Sequence, residues 1–428
     1  MKYQVIIIGG GPAGYTAAEA AGKAGLSVLL IEKNNLGGVC LNEGCIPTKT
    51  LLHSAKLYDH ALDSAAYGVT AESVRVDHAA VIARKERVIK TLVGGVCAAM
   101  KASGVTTVNG RAVITGKDPA GYSVKANGDR YVGKNLIIAT GSESVLPPIE
   151  GLRESLNSGF AVTNRELLFS CEAPKRLVVV GGGVIGLEMA SYYQMTGTAV
   201  TVVEMMDHIA GPCDKDLVKL LQKNYERGGM RFELNACVKA IGNSRVLCQR
   251  GGETFDLEAD RVLVALGRRP NSQDLGLESI GVLLENGAVR TDCHMRTNVP
   301  GIYAVGDING KSMLAHTAYR EAEVAVHTIL GQKDTMSYRA IPSVLYTIPE
   351  LSSVGLTEEE AKAQGLDVAV VRIPMAYSGR YVAENENGDG IFKLVIDKKL
   401  RTVVGAQVLA NYSSEFIAVV GIFIELAV

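Results

Sequence analysis

Two distant stretches of the chain repeat one plan, VIIIGGGPAG near the N-terminus and RLVVVGGGVIG from Arg176. In each, a short apolar run enters a Gly-x-Gly-x-x-Gly turn, Gly9, Gly11, Gly14 and then Gly181, Gly183, Gly186, followed by a helix-like run. A second apolar run then ends on an acid, Glu32 in SVLLIE and Glu204 in TAVTVVE. The acid lies 23 residues after the first glycine in both copies (32 − 9 and 204 − 181). Glycines permit the tight turn and let backbone approach a pyrophosphate, whose charge rests on the helix N-terminus. The acid at the end of the second strand can bind a ribose hydroxyl pair. One such fingerprint is weak evidence, but two complete units with equal spacing predict two dinucleotide sites or one duplicated domain. Glu204 is followed by Met205 and Met206 rather than Arg or Lys, so a 2′-phosphate would meet a carboxylate without a cation. NAD is therefore favoured over NADP at the second copy.

A chain of 428 residues is too long for one core and should divide into two to four domains. With 47% apolar residues, burial is ample, and a net charge of −1 gives no electrostatic reason to bind nucleic acid or an anionic membrane. The longest apolar candidate, Phe416 to Val428, is 13 residues long and contains Glu425. It falls short of the ~20 residues that a membrane span needs. The N-terminus runs directly into strand-like Val5-Ile6-Ile7-Ile8 without a signal peptide, and eight scattered cysteines do not form a secreted disulfide framework. A cytoplasmic protein is expected, with no metal site.

Only Cys40 and Cys45 lie close together, in GGVCLNEGCIPTK. In a regular helix, residues five apart are separated by ~7.5 Å along the axis and lie on different faces. A disulfide usually needs Cα atoms roughly 4.4–6.8 Å apart, so a bridge requires an irregular turn, which Asn42-Glu43-Gly44 can supply. Pro47 suits the first turn of a helix continuing as TKTLLHSAKLY. Cys45 would then sit at that helix's N-terminus, where backbone dipoles favour a thiolate, with Lys49 one turn further on the same face. The stretch reads as a redox-active disulfide just after the first cradle; the plainer reading is a pair of buried, inert thiols.

At these residues the chain resembles the flavin-dependent pyridine-nucleotide-disulfide oxidoreductases, and within them the lipoamide branch. GGVCLNEGCIPTK is similar to that family's redox stretch almost letter for letter. LIIATGS (Leu136 to Ser142) resembles the strand and turn leaving the flavin domain, ALGRRPN (Ala265 to Asn271) the return segment, and IYAVGDI the second flavin fingerprint. MLAHTA (Met313 to Ala318) resembles the lipoamide rather than the glutathione branch, and YTIPELSSVG (Tyr346 to Gly355) the start of a dimerisation domain. The resemblance implies an α/β fold: two nested Rossmann-like domains, for FAD and NAD, plus a C-terminal α+β dimerisation domain.

It also implies roles. Cys40 would be the interchange thiol, Cys45 the sulfur against the flavin, and Lys49 an ammonium near the flavin's reactive nitrogen. Glu188 would pair with Lys49 and face the nicotinamide, since an ammonium enclosed alone is costly. The FAD contacts implied are Gly9, Gly11, Pro12, Ala13, Gly14, Glu32, Lys33, Gly38, Val39, Cys40, Lys49, Ala112, Thr140, Gly141, Ser142, Gly306, Asp307, Met313, Leu314, Ala315 and His316. In that resemblance Asp307 binds the ribityl chain. Those for NAD are Gly181, Gly183, Val184, Ile185, Gly186, Glu188, Glu204, Val238 and Gly267. The implied activity is oxidation of protein-bound dihydrolipoamide with reduction of NAD, as a homodimer. The implied partner is the lipoyl domain of an acyltransferase or of a glycine-cleavage carrier protein.

The family's base for thiol exchange is a histidine in an HP-x-x-SE stretch, contributed by the partner subunit, and none of the seven histidines here is followed by proline. His316 is read as structural. The apolar ending EFIAVVGIFIELAV carries no polar cap, so a chain shortened by a few dozen residues is expected, binding FAD and NAD but reducing lipoamide poorly. The alternatives are another flavin disulfide reductase or a catalytically weakened FAD/NAD-binding form. The expected organisation is nested: 1–146 FAD, 147–266 NAD, 267–331 completing the FAD fold, and 332–428 at the interface.

Overall fold

The computed structural model describes residues 2–386 and 388–428; Met1, at which the first expected domain begins, and Asn387 lie outside the described residues. The chain forms two compact units. One comprises Met1–Pro47, Lys85–Val145 and Arg268–Ser337, the other Thr48–Arg84, Leu146–Gly267 and Tyr338–Val428.

In the first unit, strand Lys2–Ile8 lies between Val28–Glu32 and Asp129–Ile138, parallel to both. Val5 to Ile8 and Val28 to Ile31 are buried without alternation, as in parallel strands covered on both faces. Thr106–Asn109 extends the sheet beyond Val28–Glu32, and Ile302–Ala304 pairs with Leu136 to Ile138. The late segment thus returns to the sheet that the N-terminus began. Strands Val113–Asp118, Gly121–Ala126 and the start of Asp129–Ile138 form an antiparallel meander that extends the same sheet. It stays attached because Tyr122, Val124, Ala126 and Tyr131 are apolar positions that bury in one core with Ile6, Leu29 and Leu136.

In the second unit, five parallel strands run in the order Arg231–Glu233, Ala199–Val203, Arg176–Val180, Arg261–Val264 and Ala161–Val162. A three-stranded antiparallel sheet, Cys237–Gly242, Arg245–Arg250 and Glu253–Glu258, precedes strand Arg261–Val264. The C-terminal part is a five-stranded antiparallel sheet. Helix Ser413–Leu426 covers it, burying Ile417, Val420 and Ile424 with Val354, Ala406 and Val408. The fold is α/β with two dinucleotide-type sheets and a C-terminal α+β part. Among the described residues no helix is long and apolar enough to cross a membrane.

Candidate active site

The two cradles match in detail. Gly9 and Gly181 both take φ +105°, and a Cβ on either would stand 2.2 or 2.4 Å from the carbonyl oxygen of Ala139 or Ala265. A Cβ on Gly14 or Gly186 would fall 1.8 or 2.1 Å from the oxygen of Gly9 or Gly181. These positions therefore accept only glycine, for reasons internal to the turn. The middle glycines differ: a Cβ on Gly183 would meet nothing within 4 Å, and one on Gly11 only the Gly38 Cα at 3.7 Å. Helices Pro12–Lys23 and Val184–Met195 begin there without a side-chain cap, leaving first-turn N–H groups for an anion. Each cradle therefore offers what a dinucleotide pyrophosphate requires.

The acids match as well. Glu32 accepts from the N–H groups of Gly10 (2.6 Å) and Asn34 (2.7 Å), and Glu204 from those of Gly182 (2.7 Å) and Met206 (2.8 Å). Backbone N–H groups thus fix each carboxylate beside its glycine turn. Met205 and Met206 are both exposed.

The cysteine stretch breaks into two helices, Gly38–Glu43 and Cys45–Leu62, at Gly44. Cys40 lies in the first and Cys45 opens the second, with Lys49 one turn on. Gly38, at φ +57°, packs so closely on the first cradle that a Cβ there would stand 2.5 Å from Gly11 Cα. Gly37 N–H donates to the Gly10 carbonyl at 2.8 Å. The short helix carrying Cys40 is therefore fastened to the first cradle.

Near the sulfurs, the hydroxyls of Tyr15 and Tyr319 hydrogen-bond at 2.7 Å. Burial pushes the Tyr15 phenol well above its ordinary range, the bond to Tyr319 adds to this, and charge on Cys40 and Cys45 pushes the same way. Burial raises Tyr319 too, against the bond from Tyr15. Both hydroxyls stay protonated, within electrostatic reach of both sulfurs.

The segment Thr140–Ser142 is tied to the return segment. Thr140 Oγ1 donates to the Asn271 carbonyl (2.8 Å), and Arg268–Pro270 pairs antiparallel with Ser142–Ser144. Ser142 Oγ donates to Asp307 Oδ2 at 2.5 Å and accepts from Arg268 Nε at 2.8 Å. Gly306, at φ +75°, packs on Ala13, where a Cβ would come within 3.2 Å. Its N–H donates to the fully buried Glu321 at 2.6 Å. The second fingerprint is thus held against the first cradle's helix.

In the other unit, Lys49 Nζ stands 3.8 Å from Glu188 Oε1. Burial pushes the Glu188 carboxyl above its ordinary range, and Lys49, then the Tyr346 N–H, pull it only part of the way back.

The remaining residues proposed from sequence take varied positions. Gly141 is left-handed, Ala112 is buried, and Lys33 and Val39 are exposed. Met313 is exposed, Leu314 caps helix Ala315–Ile329, and Ala315 and His316 open it. Val184 is exposed and Ile185 half-buried beside the second cradle, Val238 adjoins a bulge in strand Cys237–Gly242, and Gly267 takes φ +96°. Sequence reasoning missed Tyr15, Tyr319, Arg268, Glu321 and Tyr346. A Glu in the helical run AHTAYREAEVAV looks like any solvated helix acid, and nothing local marks the others.

Fold and site together define a class, a protein built to hold two dinucleotides with a cysteine pair fastened to the first. Residues 3–322 match the family model "Pyridine nucleotide-disulphide oxidoreductase", and residues 341–428 match its dimerisation domain. The chain belongs to the pyridine nucleotide-disulphide oxidoreductase family. It is 39% identical over 431 residues to the dihydrolipoyl dehydrogenase of Geobacillus stearothermophilus, covering 99% of this chain and 90% of the relative. It is 38% identical over 432 residues to that of Bacillus subtilis (strain 168), with the same coverages. Among solved structures, LpdA from Mycobacterium tuberculosis has a TM-score of 0.89 at 26% identity, covering 100% of this chain and 94% of that one. The HOCl-induced flavoprotein disulfide reductase RclA from Escherichia coli has 0.87 at 29%, covering 99% and 93%.

Proposed function

We propose that this chain is an FAD- and NAD-dependent dihydrolipoyl dehydrogenase, oxidising protein-bound dihydrolipoamide to lipoamide as NAD becomes NADH. The observation that carries this reading is the packing of Gly38 on Gly11, which fastens the Cys40 helix to the first cradle's open middle glycine. The names of the relatives from Geobacillus stearothermophilus and Bacillus subtilis support the substrate.

In this reading the first cradle, with Gly306, Asp307 and the Thr140–Ser142 segment, holds FAD, and the second cradle with Glu204 holds NAD. The nested division at 146, 266 and 331 follows from it. Substrate dithiol reduces the Cys40–Cys45 disulfide by exchange. One substrate sulfur forms a mixed disulfide with Cys40 and releases Cys45. The second substrate sulfur then displaces Cys40 and closes lipoamide, so two electrons and two protons leave the substrate. Bound FAD supplies the two-electron relay between dithiol and NAD. Cys45, at a helix N-terminus, is favoured as thiolate. The Lys49 ammonium, 3.8 Å from Glu188, offers a positive charge beside the second cradle's helix. Tyr15 and Tyr319 remain neutral donors near the sulfurs.

The working form is a cytoplasmic homodimer that meets a lipoyl domain. The apolar residues Val419, Ile422, Phe423 and Leu426, exposed on helix Ser413–Leu426 within the dimerisation domain, suit burial by a second copy.

Anaerobic titration tests the reading. The purified holoprotein should take about four electrons per flavin, with a long-wavelength absorbance after about two, because disulfide and flavin are each two-electron carriers. Uptake of two electrons without that band would leave a flavoprotein with no working disulfide. The cradles can be separated by substitution. Gly14→Ala, whose methyl has no room beside Gly9, should destabilise the fold by about 2–3 kcal/mol and purify without flavin. Gly186→Ala should keep its yellow colour and lose its response to NAD. Flavin content per chain and NADH-dependent bleaching measure both.

A further inference from the structure

Tyr346 engages both members of the pair formed by the half-buried Lys49 and the buried Glu188. It follows strand Ser343–Leu345, far in sequence from either partner. Lys49 Nζ lies over its ring, 3.9 Å from the centroid, within the range of a cation–π contact. Its backbone N–H donates to Glu188 Oε1 at 3.1 Å, the same oxygen that faces Lys49. At 3.8 Å the ammonium is beyond a normal hydrogen bond to that carboxylate. The cation therefore rests between the ring and its counter-ion, at similar distances from both. Lys49 sits on helix Cys45–Leu62 and Glu188 on helix Val184–Met195, so one residue just past strand Ser343–Leu345 touches side chains of two helices.

We propose that Tyr346 is a positioning residue that sets where the Lys49 ammonium rests, its ring carrying the cation and its N–H fixing the anion. The ring keeps the ammonium from collapsing onto Glu188 into a tight, neutralised pair. It leaves a positive charge directed elsewhere, which is what the proposed reaction asks of Lys49. The backbone bond fixes the carboxylate, so loss of the ring alone should free the cation and not the anion.

The test uses the holoprotein and three variants: Tyr346→Phe, which keeps a ring, and Tyr346→Leu and Tyr346→Met, two ring-free side chains of different shape. Two ring-free variants guard against one failing to fold, which labelling of the buried Lys393 would reveal. Lys49 acylation by acetic anhydride, followed by mass spectrometry, reads the clamp without reference to any activity. Lys49 should label at the wild-type rate in Tyr346→Phe and roughly tenfold faster in the ring-free variants, the span a cation–π contact allows. The long-wavelength absorbance of the two-electron-reduced protein should be unchanged in Tyr346→Phe and altered in the ring-free pair.

Equal Lys49 labelling in all four proteins would overturn the inference, and so would Tyr346→Phe behaving like Leu and Met. Only the absorbance readout rests on the proposed function. If wild type lacks that band, the reaction assignment fails while the labelling order still decides the role of Tyr346.

Discussion

Cys45→Ser should abolish dihydrolipoamide-dependent NAD reduction, by at least about a thousandfold, as loss of a covalent nucleophile does. The same substitution should leave electron flow from NADH to a small artificial acceptor such as ferricyanide within a few-fold of the parent. The two reactions separate because they use different parts of the chain. Ferricyanide needs only bound cofactors, and the cradles that hold them depend on glycine turns closed by Glu32 and Glu204. Dihydrolipoamide needs a partner disulfide, and a serine hydroxyl in place of the Cys45 thiol cannot form one with Cys40. Cys45 opens helix Cys45–Leu62, so the serine oxygen fits the same place and stays a helix-terminal group. The fold should persist. Cys40→Ser should give the same split in activities, but with the Cys45 thiol already free beside oxidised flavin it should show long-wavelength absorbance before any reductant is added and lose it on two-electron reduction, whereas Cys45→Ser should not show it at all. Unimpaired turnover of dihydrolipoamide by either variant would remove the disulfide from the mechanism.

What the sequence disclosed follows from how local each signal is. The cradles were legible because strand, turn, helix, strand and acid are consecutive, and each glycine requirement arises inside the turn, as the close approaches to the Gly9 and Gly181 oxygens make concrete. The helix break at Gly44 was legible from the spacing of Cys40 and Cys45. Family resemblance was needed for the approach of Lys49 to Glu188, because no periodicity links helices so far apart. Tyr346 was beyond both routes. Its part rests on a backbone N–H reaching 158 positions along the chain and on a ring whose partner is set by packing. Glu321 was missed for a related reason: it is fully buried and Glu323, two positions on, is exposed, and the run EAEVAV alone does not say which faces inward.

Lys393→Met should destabilise the protein by about 3 kcal/mol, because it leaves the buried Asp214 carboxylate without its cation. Lys393 lies within the apolar run of strand Ile391–Asp397, and its side chain is only 3% exposed. Its ammonium reaches Asp214 Oδ2 at 2.6 Å, Glu358 Oε2 at 3.2 Å and Asp216 Oδ2 at 3.3 Å. Asp214 is itself buried and caps helix Lys215–Arg227, accepting from the N–H groups of Asp216 and Leu217. One lysine thus joins a strand of the C-terminal sheet to the start of a helix in the second dinucleotide fold. The hydrogen bond from Lys362 first, then Lys393 and Arg372 against the opposing effect of burial, draws the Glu358 carboxyl from 4.5 down to about 2. Burial opposes, but Lys393 and Arg372 also hold Asp216 below its ordinary value. A carboxylate whose folded value is depressed stabilises the fold above its unfolded value and loses that contribution as pH falls through the folded one. The contribution of Glu358 is therefore whole above about pH 4.5 and fades toward pH 2. Lys393→Met should differ most from wild type near neutrality, and the gap should close as acid protonates the carboxylates. Denaturant midpoints at about pH 7 and about pH 3 measure both; a gap that widens in acid would mean that Lys393 acts through packing rather than charge.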